Sequence, residues 1–205
     1  MKNVIFDWSG VIKDAFISHL WVVNRILKKY GIKEMSFDEL KREWEEPFMN
    51  FYNKYIPSMT LKEEQDLYRE GILDKDYPQS NPYPGVVELI KELKDSGCYL
   101  AVITADMSDS IFFEINKFGL VNVFDDIVTE AHDKTQSAQT LIDKNHLDLA
   151  NTFFIGDSGG EIVSGKKTGI KTIAVTWGFA TEQTLKSYHP DYIVHNLEEL
   201  RDVLR

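Results

Sequence analysis

Two short apolar runs, far apart in the chain, each end in an acid and a glycine-containing loop. The first reads Val4-Ile5-Phe6-Asp7-Trp8-Ser9-Gly10, and the second reads Thr152-Phe153-Phe154-Ile155-Gly156-Asp157-Ser158-Gly159-Gly160-Glu161. Apolar character that hardly alternates over so few residues suits a strand buried on both faces, and such strands belong to parallel sheets. A parallel α/β sheet assembles its sites in the loops beyond the carboxyl ends of its strands. The pattern therefore delivers two carboxylates to one edge of one sheet. The first is a candidate nucleophile and the second a candidate metal ligand.

The rest of the chain is consistent with this constraint. After Gly97 a strand at about 99–103 runs into Thr104-Ala105-Asp106, and a helix at about 108–118 closes at Gly119. A short strand is expected at 123–128, a helix at 136–146, a strand at 152–156 and a helix at 159–167. A strand follows at 171–175, then one at 191–194 and a last helix at 197–204. Alternating strands and helices predict an α/β fold, a Rossmann-like parallel sheet wrapped by helices.

Residues 14–74 differ. Phe16, Ile17, Leu20, Trp21, Val23, Ile26 and Leu27 recur at helical spacing. Ser36 with Glu39 and Thr60 with Glu63 have the spacing of capping boxes. They predict helices at 37–55, with a kink or break at Pro47, and at 61–72. A proline-rich connector occupies 77–85. The expected organisation is a core of residues 1–13 and 84–205 with a helical cap at 14–83. Its aromatics (Trp44, Phe48, Phe51, Tyr52, Tyr55) are expected to form that cap's own core.

Composition narrows the function. A formal charge of −10 argues against nucleic-acid binding, which leaves a basic footprint. The single cysteine, Cys98, has no internal partner and fits a reducing, cytoplasmic setting. No apolar run approaches the roughly 20 residues of a membrane span, so no membrane partner is expected. Monomer and homodimer stay equally open.

With Asp7, Thr104, Lys134 and Asp157-to-Glu161 at strand ends or just beyond, the chain resembles the haloacid-dehalogenase-like hydrolases. The closest likeness is in Ile155–Phe179, which is similar to the phosphoglycolate phosphatase branch with its helical cap. The resemblance implies a Mg²⁺-dependent hydrolase of a small phosphorylated molecule. Asp7 would attack phosphorus and form an aspartyl-phosphate. Asp7 and Asp157, the backbone carbonyl of Ser9, and Glu161 would surround the metal, since Mg²⁺ takes oxygen ligands. Glu161 stands where the family pattern often has the shorter aspartate. Thr104 and the backbone of Ala105 would hold phosphate oxygens. Lys134, in a loop before a helix, would balance charge at the nucleophile and phosphoryl group. Asp106 would either contact substrate or cap the following helix. Trp177-Gly178-Phe179 resembles the family's loop beside the active site.

Ser9 departs from the family's phosphatases, which usually carry an aspartate there as general acid and base. Such groups contribute roughly 10²–10⁴-fold, so the expected phosphatase is slow. The run Asp7-Trp8-Ser9-Gly10 is also similar to phosphonoacetaldehyde hydrolase. That implies carbon–phosphorus cleavage through a desolvated cap lysine, for which Lys54 is the most apolar candidate. A third expectation is a non-enzymatic phosphate-binding or regulatory protein. A dehalogenase fits less well, because Asp157 and Glu161 look like a metal site.

Overall fold

A computed structural model of the chain describes residues 2–45 and 47–205. The first elements are strands β1 (Asn3–Phe6) and β2 (Lys13–Asp14), then helices α1 (Phe16–Lys29), α2 (Phe37–Glu43), α3 (Phe48–Tyr55) and α4 (Leu61–Ile72). Next come β3 (Asn81–Pro82), α5 (Val86–Asp95), β4 (Tyr99–Ile103), α6 (Ser108–Lys117), β5 (Asp126–Val128) and α7 (Lys134–Asn145). The chain ends with β6 (Thr152–Gly156), α8 (Gly159–Thr168), β7 (Lys171–Val175), α9 (Glu182–Ser187), β8 (Tyr192–Val194) and α10 (Leu197–Leu204). It divides into two compact units, residues 15–80 and the remainder.

The larger unit is α/β. Its six-stranded sheet has the order β5-β4-β1-β6-β7-β8, and every pairing is parallel. The chain builds outward from β1 on one side through β4 and β5, then crosses back and builds the other side from β6. β1 therefore stands where the winding reverses, the place at which an open parallel sheet forms its crevice. Strand geometry sends alternate residues to opposite faces. Val4 and Phe6 join the apolar cluster with Leu89 and Ile90 of α5, Ile111 of α6 and Leu200 of α10. Ile5 faces the other way, onto Ala138, Leu141 and Ile142 of α7. Both faces are covered, which is why β1 and β6 tolerate almost no polar residue before their terminal acids.

Several boundaries differ from the sequence expectation for local reasons. The strand expected over 123–128 is only Asp126–Val128. Asp125 spends its side chain on the Leu100 N–H, 2.9 Å away, and so ends the ladder. The helix expected at 136 starts at Lys134, because the Asp133 carboxylate caps it by accepting from the Thr135 and Gln136 N–H groups. α9 was not expected from the sequence. β2 pairs antiparallel with β3, Lys13 opposite Pro82 and Asp14 opposite Asn81, so residues 81–83 travel with the sheet unit.

The smaller unit holds α1 to α4. Val22, Val23, Ile26 and Leu27 of α1, Leu40 of α2, and Phe51 and Tyr52 of α3 are buried. Phe51 contacts the rings of Trp44, Tyr52 and Tyr55. Gly71 of α4 lies against Val22, where a Cβ would come within 2.9 Å of the valine side chain. The expected 37–55 helix is two helices. Trp44 and Pro47 are both extended, since proline lacks the N–H a continuing helix needs. Among the described residues, no helix is long and apolar enough to cross a membrane.

Candidate active site

Asp7 follows β1 directly, and its N–H still donates to the Ile155 carbonyl of β6 at 2.9 Å. Asp157 follows β6. Parallel register thus places the two acids side by side without any special loop. Asp7, Asp157 and Glu161 are all buried, and one carboxylate oxygen of each lies within 4.8 Å of the others. Lys134 joins them: its Nζ is 3.0 Å from Asp7 Oδ1 and also pairs with Glu161 Oε1. As the first residue of α7, Lys134 puts a cation at the positive end of a helix. That placement costs energy, and the two carboxylates offset it.

Glu161 has a second attachment. Its Oε2 accepts from the Ser158 N–H at 3.1 Å and from the Ser158 hydroxyl at 2.7 Å. This capping box closes the start of α8. Asp157 Oδ2 accepts from the Phe179 N–H at 2.6 Å. Two glycines make that closeness possible. A Cβ on Gly10 would fall 2.0 Å from Asp157 Oδ2, and one on Gly178 would fall 2.2 Å from the same atom. Gly10 also has φ +87°, which side chains rarely adopt.

The electrostatics follow from burial and neighbours. Burial pushes the Asp7 carboxyl up to about 7, against the opposing pull of Lys134. Burial also raises Asp157 well above the carboxylate range, and the charges of Asp7 and Glu161 push the same way. Burial acts to raise Glu161 too, but Lys134 and the hydrogen bonds at Ser158 outweigh it and hold that carboxyl low. Three carboxylates face one ammonium. The all-oxygen donor set and its excess negative charge fit a hard divalent cation.

Thr104 and Ala105 lie at the end of β4, the other neighbour of β1. Thr104 is buried and Ala105 is exposed. The Thr104 hydroxyl accepts from the Asp106 N–H at 3.1 Å, within its own loop. Asp106 does not cap α6, whose N-cap is Met107 with no side-chain cap. Its Oδ2 accepts from the Ser9 hydroxyl at 2.6 Å. The loops after β1 and β4 are therefore tied to each other through Ser9.

Two further lysines pair with acids outside this cluster. Lys54 is hydrogen-bonded to Glu43 at 2.6 Å and its side chain is about half exposed. The bond to Glu43 raises its pKa, the opposite of what a Schiff-base amine requires. Lys144 is exposed and pairs with Asp126. Trp8 is a core residue. It is fully buried, stacks on Phe118 and donates to Glu114 at 2.6 Å. Glu114 in turn pairs with the buried Lys13 at 2.7 Å. The site interactions not read from the sequence are the Phe179 N–H bond to Asp157 and the Ser9–Asp106 bond.

A model of the haloacid dehalogenase-like hydrolases matches residues 4–175, and the chain belongs to that family. The pyrophosphatase PpaX of Oceanobacillus iheyensis is 23% identical over 205 residues, covering 98% of this chain and 95% of that one. The phosphoglycolate phosphatase of Synechococcus elongatus is 22% identical over 205 residues with the same coverage, 98% and 95%. A solved haloacid dehalogenase-like hydrolase from Streptococcus pneumoniae matches with a TM-score of 0.84 at 22% identity. That match covers 100% of this chain and 99% of the other, and it is a likeness of fold.

Proposed function

We propose that this hydrolase is a Mg²⁺-dependent phosphatase of small phosphorylated metabolites, acting through an aspartyl-phosphate on Asp7. One observation carries the proposal: Lys134 spans Asp7 and Glu161 within a buried cluster that also gathers Asp157. Asp7, at a strand end, attacks phosphorus, forming the acyl phosphate and releasing the alcohol. Lys134 supports charge at the nucleophile, and Glu161 fixes the lysine in turn. Thr104 and the backbone at Ala105 bind phosphate oxygens from the neighbouring loop. Asp7, Asp157, the Ser9 carbonyl and Glu161 would hold Mg²⁺. When bound, the metal neutralises phosphoryl oxygens and orients them. Residues 15–80 serve as the cap that sets substrate choice. With Ser9 in place of a carboxylate, turnover is slow.

The relatives named above act, by their names, on pyrophosphate and phosphoglycolate. Both belong in the first substrate panel, with p-nitrophenyl phosphate and phosphonoacetaldehyde. Phosphate release from an ester that stops with chelator is the expected result. Asp7→Asn should abolish labelled phosphoenzyme and lower turnover on the order of 10⁴-fold or more. Phosphoenzyme that persists in Asp7→Asn excludes the mechanism, and cleavage confined to phosphonoacetaldehyde replaces the substrate class.

A further inference from the structure

Asp106 was left open between two roles by the sequence, and the structure removes one of them. It is not the cap of α6. Its backbone is held at both ends, the N–H donating to Thr104 Oγ1 at 3.1 Å and the carbonyl accepting from the Glu130 N–H at 3.0 Å. That leaves the carboxylate aimed across to the β1 loop, where Oδ2 takes the Ser9 hydroxyl hydrogen at 2.6 Å. Ser9 is two residues beyond Asp7, and the Asp106 charge is among those felt at Asp7. Both Ser9 and Asp106 are partly exposed, so solvent reaches the pair.

A hydroxyl has one hydrogen and two acceptor lone pairs. Because Asp106 takes the hydrogen, the lone pairs of Ser9 Oγ are the part presented to a water molecule. From this arrangement we infer that Asp106 is a positioning residue for hydrolysis of the aspartyl-phosphate. It acts by locking the Ser9 hydroxyl as an acceptor that orients the attacking water. This inference rests on the proposed function.

The step balances without a base at position 9. The water oxygen bonds to phosphorus, and the bond from phosphorus to the Asp7 oxygen breaks with its electron pair left on Asp7. One water proton ends on a phosphate oxygen. The products are the Asp7 carboxylate and dihydrogen phosphate. What the site must supply is the approach of the water, and a serine anchored by a neighbouring carboxylate provides it. The loop after β4 thus takes over part of a task that a carboxylate at position 9 would perform alone.

The test uses p-nitrophenyl phosphate with Mg²⁺ and separates the two chemical steps. Nitrophenol released in the first turnover reports phosphorylation of Asp7, and the later steady rate with trapped phosphoenzyme reports its hydrolysis. Asp106→Ala should leave the first-turnover rate within about twofold while the steady rate falls about tenfold, the scale of one lost hydrogen bond. Phosphoenzyme should accumulate accordingly. Asp106→Asn keeps an acceptor oxygen and should recover part of the loss. Ser9→Ala should give the same partition, and Ser9→Ala with Asp106→Ala should be no worse than either alone, as expected for groups acting as one unit. Unchanged partition in Asp106→Ala overturns the inference. Equal slowing of both steps, or additive losses in the double variant, also overturns it. Wild-type protein that forms no phosphoenzyme overturns the proposed function, and this inference with it.

Discussion

Asp7 and Glu64 are both buried acids that burial raises to about 7. One lies in the sheet unit and the other in the helical unit. Around Asp7 the chain has gathered a lysine at 3.0 Å, two further carboxylates and the loops of three strands. Beside Glu64 is Tyr52, a fully buried phenol whose own pKa is pushed well up, first by burial. The same desolvation acts on both acids, and the neighbours separate them. A raised carboxyl by itself marks only a cost of burial. It becomes a functional signal when a cation and further oxygen donors converge on it.

Removing the cation attacks that distinction directly. Lys134→Met leaves Asp7, Asp157 and Glu161 buried together with no ammonium. Turnover should fall about 10²–10³-fold, the usual worth of a preorganised charge-stabilising group. The variant should also unfold more easily in chelator, because an uncompensated buried charge is costly. Steady-state kinetics and denaturant midpoints check both. Full turnover in Lys134→Met would leave Asp7 no better placed for chemistry than Glu64.

A second change sharpens the picture at Ser9. Ser9→Asp supplies a carboxylate two residues after the nucleophile, but it sets that carboxylate against Asp106, at present 2.6 Å from the Ser9 hydroxyl. Like charges so close oppose each other. Ser9→Asp alone should therefore raise p-nitrophenyl phosphate turnover by only about tenfold. Combined with Asp106→Asn, the gain should approach about a hundredfold, the lower end of general acid–base catalysis. Equal gains in the single and double variants would show that Asp106 does not restrain position 9.

The acids of the site were legible because strand burial writes itself into sequence. Val4-Ile5-Phe6 and Phe153-Phe154-Ile155 have no polar alternation, so the acid that ends each run has to lie at the sheet edge. Lys134 stands out through resemblance, not pattern, and its helix begins two residues before the periodicity predicts because the Asp133 carboxylate caps it. The Ser9–Asp106 bond was not legible. It depends on how two loops from adjacent strands face each other, and spacing along the chain does not encode that. The Phe179 N–H was missed for a different reason: backbone donors carry no residue signature. Lys54 has aromatic sequence neighbours, yet it is a partly exposed lysine paired with Glu43. The break between α2 and α3 allows Glu43 to reach it, and that contact is non-local within the segment.

The smallest effect tests the other half of the comparison. Folding prefers the protonated form of Glu64, because its carboxyl lies near 7 in the folded chain against an ordinary 4.5. That contribution to stability is complete below about pH 4.5 and is lost as pH rises through about 7. Glu64→Gln keeps the shape and removes the ionisation. It should add less than about 1 kcal/mol at pH 5 and up to about 3 kcal/mol at pH 8, from the size of the shift. Urea midpoints of both proteins at the two pH values decide the matter. A gain that is the same at pH 5 and pH 8 would mean that Glu64 does not ionise at a cost. Asp7 would then be the one acid of the pair for which burial has an electrostatic consequence.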